Sequence, residues 1–307
     1  MRKKKVLSLF LAIVMVFSVM IVPGTSALGA QQATTTDIGD VTDQKEDGNI
    51  LIFQVGGQEV RVELCTPRTV RVQLSLDGPD GYRPEDPQYY MVQKNEWDPV
   101  EKTVTEEDGV VKIRTSEMEI RVQKSPLRIG MYDLEGNLLS KDADDQGLYW
   151  SDDGTRGVKK VEGTQNAGGI FGFGSGDHGR RSNLNRYDQD FTEFSMSHGR
   201  VIAPFFMSTV GYGIFLNTIE KDTTFFKQGG GFETQGYLDY YFMYGPDFKT
   251  ILNEYAEITG RMELYGKWAH GFMLSKYGND NATPAEFLEW IHRLRDDGYP
   301  ADCYVFD

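Results

Sequence analysis

Residues 240–278 read YYFMYGPDFKTILNEYAEITGRMELYGKWAHGFMLSKYG, and residues 299–307 read YPADCYVFD. At Gly245 the hydrophobic period changes from two to 3.6. Phe248, Ile251, Leu252, Tyr255 and Ile258 fall on one helical face, with Pro246 at the first helical position and Gly260 just past the end. An apolar strand is predicted next, over residues 268–274. The following helix is capped by Thr283, with Pro284 at N1 and Glu286 at N3 completing a capping box. Phe287, Leu288, Ile291 and Leu294 form its apolar face, and Gly298 stops it. Residues 303–306 make a second, buried-type strand. Strand, amphipathic helix and strand compose a βαβ unit, whose two strands run parallel.

One βαβ unit cannot bury its own faces, because parallel sheets need cover on both sides. Residues 266–307 therefore read as the opening of a larger α/β domain. They end on Asp307, a carboxylate at the C-terminal end of a buried strand, where barrel enzymes keep their chemistry. Capping of a following helix is the structural alternative for that carboxylate.

Upstream, residues 49–140 alternate with period two. Val60, Val62 and Leu64 point one way and Arg61 and Glu63 the other; Val70, Val72 and Leu74 repeat the scheme, as do Met118, Ile120 and Val122. Turns are marked at Gly56-Gly57, Asp77-Gly78-Pro79, Asp108-Gly109 and Glu135-Gly136-Asn137. The fold class is mainly β: an antiparallel sandwich over residues 49–244, resumed by strands in 205–209, 212–217 and 237–244. Residues 141–200 read as a long polar loop, a length uncommon unless functional. Residues 245–265 link the sandwich to the α/β unit.

The N-terminus carries Arg2, Lys3, Lys4 and Lys5, an apolar run over residues 6–22, and small residues around Ala27 and Gly29. This is the pattern of a cleaved secretory signal over residues 1–29, with an uncleaved anchor as the alternative. Residues 30–48 read as a disordered leader. The formal charge is −14, and removing the signal's four cations makes it more negative still. An acidic surface argues against nucleic acid and anionic lipid as partners. The expectation is a secreted protein, off the membrane once its signal is cleaved; the acidity suits a neutral substrate, and solubility alone is the equal alternative. The two cysteines, Cys65 and Cys303, lie far apart in strand patterns and read as buried free thiols; a disulfide, which would have to bridge two predicted domains, is the alternative.

Several motifs fall short of a site. Gly172-Phe173-Gly174-Ser175-Gly176 lacks a following helix and is followed by Asp177, which repels phosphate. The run from Asp142 to Asp153 has a calcium-loop spacing but strand-like flanks, and reads as a solvated acidic turn. His178, His198, His270 and His292 show no metal-ligand spacing. No cofactor and no metal are expected. Asn281-Ala282-Thr283 fits a glycosylation sequon, but Thr283 already caps a helix.

Taken together, these residues resemble glycoside hydrolase family 31, the α-glucosidase and α-xylosidase family. Residues 110–139, VVKIRTSEMEIRVQKSPLRIGMYDLEGNLL, are similar to the family's N-terminal sandwich. IFGFGSG (170–176) resembles its YGLGE turn, GYGIFLN (211–217) its GYGVLVN strand, residues 240–272 its passage into the barrel, and PADCYVFD (300–307) its second barrel strand. Departures are Ser175 for the usual Glu, and Glu263 to Lys267 in place of Pro-Pro before Trp268.

The resemblance implies a galactose-mutarotase-like sandwich followed by the first βαβ unit of an incomplete (β/α)8 barrel. It implies a retaining mechanism with an aspartate nucleophile and an aspartate acid/base, held about 5–5.5 Å apart. Family members carry these after the fourth and sixth barrel strands, so neither falls within residues 1–307 and no catalytic residue is assigned here. Asp307 matches an aspartate that hydrogen-bonds sugar hydroxyls. Asp188, with Asp190 as alternate, is the candidate for a second sugar-binding carboxylate on the loop that reaches into the barrel mouth; a plain surface acid is the other reading. The expected function is that of the N-terminal part of a secreted α-glycoside hydrolase or α-glucosyltransferase acting on an α-linked oligosaccharide or glucan. A non-catalytic carbohydrate-binding sandwich is the alternative.

Overall fold

The computed structural model describes residues 34–82, 91–162, 168–174, 193–195, 203–220, 222–226, 230–276 and 283–306. The predicted signal and residues 30–33 of the predicted leader lie outside them, as do Asp188, Asp190, His178, His198, Asn281 and Asp307. The rest of the segment read as a disordered leader instead carries strands Thr35–Asp37 and Asp43–Asp47, held by main-chain pairing to residues 149–151 and to Ile50–Val55; its polar side chains leave no apolar period to read.

Among the described residues, most of the regular secondary structure is antiparallel β. An eight-stranded sheet runs in the order Ile170–Gly172, Phe205–Ser208, Tyr212–Leu216, Leu238–Tyr244, Thr69–Ser75, Gln58–Leu64, Ile50–Val55 and Asp43–Asp47. A six-stranded sheet runs from Lys160–Glu162 through Leu138–Asp142, Leu127–Tyr132, Glu119–Lys124 and Val110–Arg114 to Thr103–Glu107. A second six-stranded sheet joins Thr35–Asp37, Leu148–Ser151, Thr155–Val158, Phe232–Gln235, Thr224–Phe226 and Glu193–Ser195. The fold is mainly β, and the described residues form no closed barrel.

Strand alternation sets the register. Val60 lies opposite Leu74, Val62 opposite Val72, and Leu64 opposite Val70. All six are buried, together with Ile120, Val122, Ile129, Leu148, Val158 and Phe232 from the other two sheets, in one shared core. Each such side chain contributes about 1.5–3 kcal/mol of burial.

The eight-stranded sheet is covered on its other face too. Helix α1 (Phe248–Thr259) lies there, and Ile251 and Ile258 cluster with Phe205, Phe215, Tyr241 and Met243. Asp247 is the N-cap, accepting from the amides of Lys249 and Thr250. Pro246 therefore precedes the cap, and the helix begins at Phe248, two residues later than the sequence pattern predicts. Gly260 ends the helix as expected. Leu252, predicted on the buried face, is exposed. The reason is Glu254, which holds the middle of that face: its Oε2 accepts from the hydroxyls of Thr66 and Thr69, each at 2.7 Å.

The segment read as a polar loop, 141–200, carries strands at Leu148–Ser151, Thr155–Val158, Lys160–Glu162, Ile170–Gly172 and Glu193–Ser195. These are short and rich in Gly and polar residues, which hides the two-residue period. Asp142, read as part of a solvated turn, is fully buried. Its Oδ1 pairs with Lys160 Nζ at 2.8 Å, and its Oδ2 accepts from the Ile129 amide at 2.9 Å. Burial works against the Lys160 charge, but the Asp142 carboxylate outweighs it and holds the ammonium pKa above its ordinary value. Both cysteines are free; Cys65 is buried and Cys303, read as buried, is half-buried.

Asp142→Ala, which strands a buried ammonium, is expected to lower stability by about 3–5 kcal/mol. The double variant Asp142→Leu, Lys160→Met is expected to recover most of that loss. Urea unfolding of the three proteins checks both; a single variant as stable as the parent would contradict the assignment.

Candidate functional site

The sequence places its two candidate sugar-binding carboxylates on separate elements: a stretch that leaves the turn at 172–174, and the end of the second parallel strand. The structure describes the platforms that precede both.

The first platform is the turn that closes strand Ile170–Gly172. Gly172, Phe173 and Gly174 all have left-handed backbone, with φ of 136°, 63° and 74°. A non-glycine residue there is uncommon and strained. Phe173 is held by packing: it is buried against the rings of Phe206 and Phe225, with centroids 5.3 and 4.7 Å away. Its amide donates to the Phe205 carbonyl at 2.9 Å. Gly172 has no room for a side chain, since a Cβ would sit 2.4 Å from Phe205 O and 2.7 Å from Phe206 Cα. The turn is thus fixed from below by the sandwich core. Asp188 follows it in the chain and lies outside the described residues.

The second platform is the βαβ unit. Strands Phe272–Lys276 and Ala301–Phe306 pair in parallel, with Leu274 opposite Tyr304 and Lys276 opposite Phe306. Residues 267–270 form a short 3-10 turn rather than the predicted start of the strand, so the strand begins four residues later than expected. Helix α2 (Pro284–Asp296) opens on the predicted capping box: Thr283 Oγ1 accepts from the Glu286 amide, and the Glu286 carboxylate accepts from the Thr283 amide at 2.7 Å. Phe287 packs edge-on to Tyr304 with centroids 5.1 Å apart. Arg295 donates through Nε and Nη2 to the Ala301 carbonyl at 3.0 and 2.7 Å, tying the end of α2 to the start of the second strand. Leu288, predicted on the buried face, is exposed, because α2 touches the strand pair along a narrower stripe. Asp307 follows Phe306 directly and lies outside the described residues.

Of the histidines, His270 and His292 are both exposed. Among the described residues no three His, Cys, Asp or Glu side chains come together as a metal site. Sequence reading missed the buried Asp142–Lys160 pair and the Glu254 tie. Both are polar residues in otherwise regular segments, and one sequence carries no signal for such pairing.

This architecture matches known proteins. The model of the glycosyl hydrolase 31 N-terminal galactose mutarotase-like domain matches residues 59–224, just over half of the chain. The chain belongs to glycoside hydrolase family 31. It is 28% identical to an isomaltosyltransferase of Sporosarcina globispora over 67% of this chain and 20% of the relative. It is 25% identical to alpha-glucosidase 2 of Bacillus thermoamyloliquefaciens over 90% of this chain and 36% of that one. The solved GH31 dextranase of Flavobacterium johnsoniae, complexed with glucose, superposes with a TM-score of 0.72 at 27% identity, covering 88% of this chain and 34% of the dextranase. A mutant of the same dextranase was solved with isomaltotriose. The chain spans roughly a third or less of the length of these relatives.

Gly172→Ala is expected to cost on the order of 2 kcal/mol or more, since the new methyl meets main-chain atoms on two sides. The urea midpoint reads this; an unchanged midpoint would show that the turn gives way freely.

Proposed function

We propose that this chain supplies the N-terminal sandwich and the opening barrel unit of a secreted, retaining α-glycoside hydrolase or α-glucosyltransferase acting on an α-linked glucan or oligosaccharide. One observation carries the reading: a mutarotase-like sandwich passes through α1 directly into a parallel strand, a capped helix and a second parallel strand. The curated relatives named as transferases and glucosidases support the α-glucoside substrate class. The signal-like N-terminus supports export.

In this reading Asp307 and Asp188 bind sugar hydroxyls and do no bond-breaking. A carboxylate that accepts from two adjacent hydroxyls makes charge-assisted hydrogen bonds, which orient the ring and add affinity. The nucleophile and acid/base aspartates belong to later barrel strands of such an enzyme. They cleave the glycosidic bond through a covalent glycosyl-enzyme.

The test is Asp307→Asn in a catalytically active form of the protein. The expected outcome is a loss of roughly 10- to 100-fold in kcat/KM on an α-glucoside, with the folded state unchanged by circular dichroism. Unchanged kinetics would remove Asp307 from the sugar site.

A further inference from the structure

The sandwich carries a cleft of about 810 Å³ on the side of the 93–102 segment. Its lining mixes Trp97 with Lys94, Asp98, Glu101, Arg114 and Ser116. That volume lies within the range of small-molecule sites. We propose that this cleft is a second carbohydrate-binding site, taking a short neutral α-glucan; the choice of glucan rests on the function proposed above.

Three observations carry the assignment. The first is the aromatic platform. Trp97 is half-buried: it packs against the cluster that holds α1 while also lining the cleft. Its indole N–H is turned inward and buried, away from the cleft, so the ring edge is what the cleft sees. Lys94 Nζ stands 4.6 Å from the ring centroid. The part of the indole that lines the cleft is apolar surface, which suits the C–H face of a pyranose.

The second is preorganisation. The wall carrying Trp97 is pinned at both ends. The Gln93 amide donates to the Ile258 carbonyl of α1 at 2.8 Å. Beyond the tryptophan, the Asn49 side chain donates to the Asp98 carbonyl at 2.8 Å and accepts from the Val100 amide at 2.9 Å. A wall held in this way loses little entropy when a ligand binds.

The third is charge. Two of the cleft's cations are already engaged. Arg114 donates to Glu119 and to the Leu134 carbonyl, and Lys102 to the Gly48 carbonyl and Glu46. Asp98 and Glu101 are exposed carboxylates on the same cleft. An anionic ligand meets two acids and few spare cations, whereas a polyhydroxyl ligand finds acceptors for its O–H groups.

Calorimetric titration of the 307-residue chain with isomaltotriose tests this, with inorganic phosphate as the anionic probe. Saturable binding with Kd on the order of 1 mM is expected. Trp97→Ala is expected to weaken it at least about tenfold, with a lowered urea midpoint but a folded state retained by circular dichroism. Should that variant fail to fold, Asp98→Ala with Glu101→Ala must weaken binding instead. Absence of saturation, equal binding by the variants of this cleft, or phosphate binding in preference to the sugar would overturn the proposal. The Asp188→Asn, Asp307→Asn double variant separates this site from the carboxylates assigned above. Binding that survives in it but falls in Trp97→Ala supports the cleft. Binding lost in it but kept in Trp97→Ala sinks the cleft and leaves the family function standing.

Discussion

The structure depends on a sheet buried on both faces. Strand Leu238–Tyr244 is buried along nearly its whole length, with Tyr240 and Phe242 in the sandwich core and Tyr241 and Met243 under α1. Its neighbour Tyr212–Leu216 is buried at every position. Antiparallel strands commonly leave one face to water and show it by alternation. Here α1 takes the place of water, so the same two strands hold the core together and dock the helix that leads onward. Their polar member, Asp239, is tolerated because Arg71 donates to both its oxygens at 2.8 and 2.7 Å and Asn217 adds a third bond at 2.8 Å.

Much of this was legible in the sequence, and the reasons are local. Period-two strands such as Gln58–Leu64 and Thr69–Ser75 announce themselves because one face is apolar and the other charged. The capping box at Thr283 and Glu286 is a three-residue signal with a backbone mechanism, and it appears where it was read. The parallel pairing of the last two strands follows from the helix between them. Two of the failures share one cause, which is tertiary pairing of polar groups. Leu252 faces solvent because Glu254, distant in sequence from Thr66 and Thr69, finds two hydroxyls across the sheet. Asp142 is buried because Lys160 is buried beside it. Neither partner is marked in the chain.

The candidate site was less legible than the fold, and the turn at 172–174 shows why. The glycines of IFGFG read as a failed phosphate loop by spacing alone. Their physical role is steric: Gly172 lets main chain approach main chain, and Phe173 accepts a left-handed backbone in exchange for a place among Phe206 and Phe225. What spacing cannot convey is that the turn is fixed by packing beneath it. The resemblance to family 31 supplied the meaning that the spacing lacked.

Burial divides the described chain sharply near Gly260. Before it, the sheets hide their large apolar side chains almost completely. After it, Met262 and Leu264 are 80% and 93% exposed, and Trp268, Phe272, Met273, Leu288 and Val305 also face solvent. The α2 unit is nonetheless well formed within itself, by its capping box, the Arg295 bonds to Ala301 and the Phe287–Tyr304 contact. Local signals of this kind specify secondary structure and the pairing of neighbours, but they do not supply a core. An apolar surface of this extent belongs to the class of protein interfaces rather than of free surface. The apolar cover is thus concentrated in the sandwich, and under the function proposed above the open surface of the βαβ unit is where further barrel elements would pack.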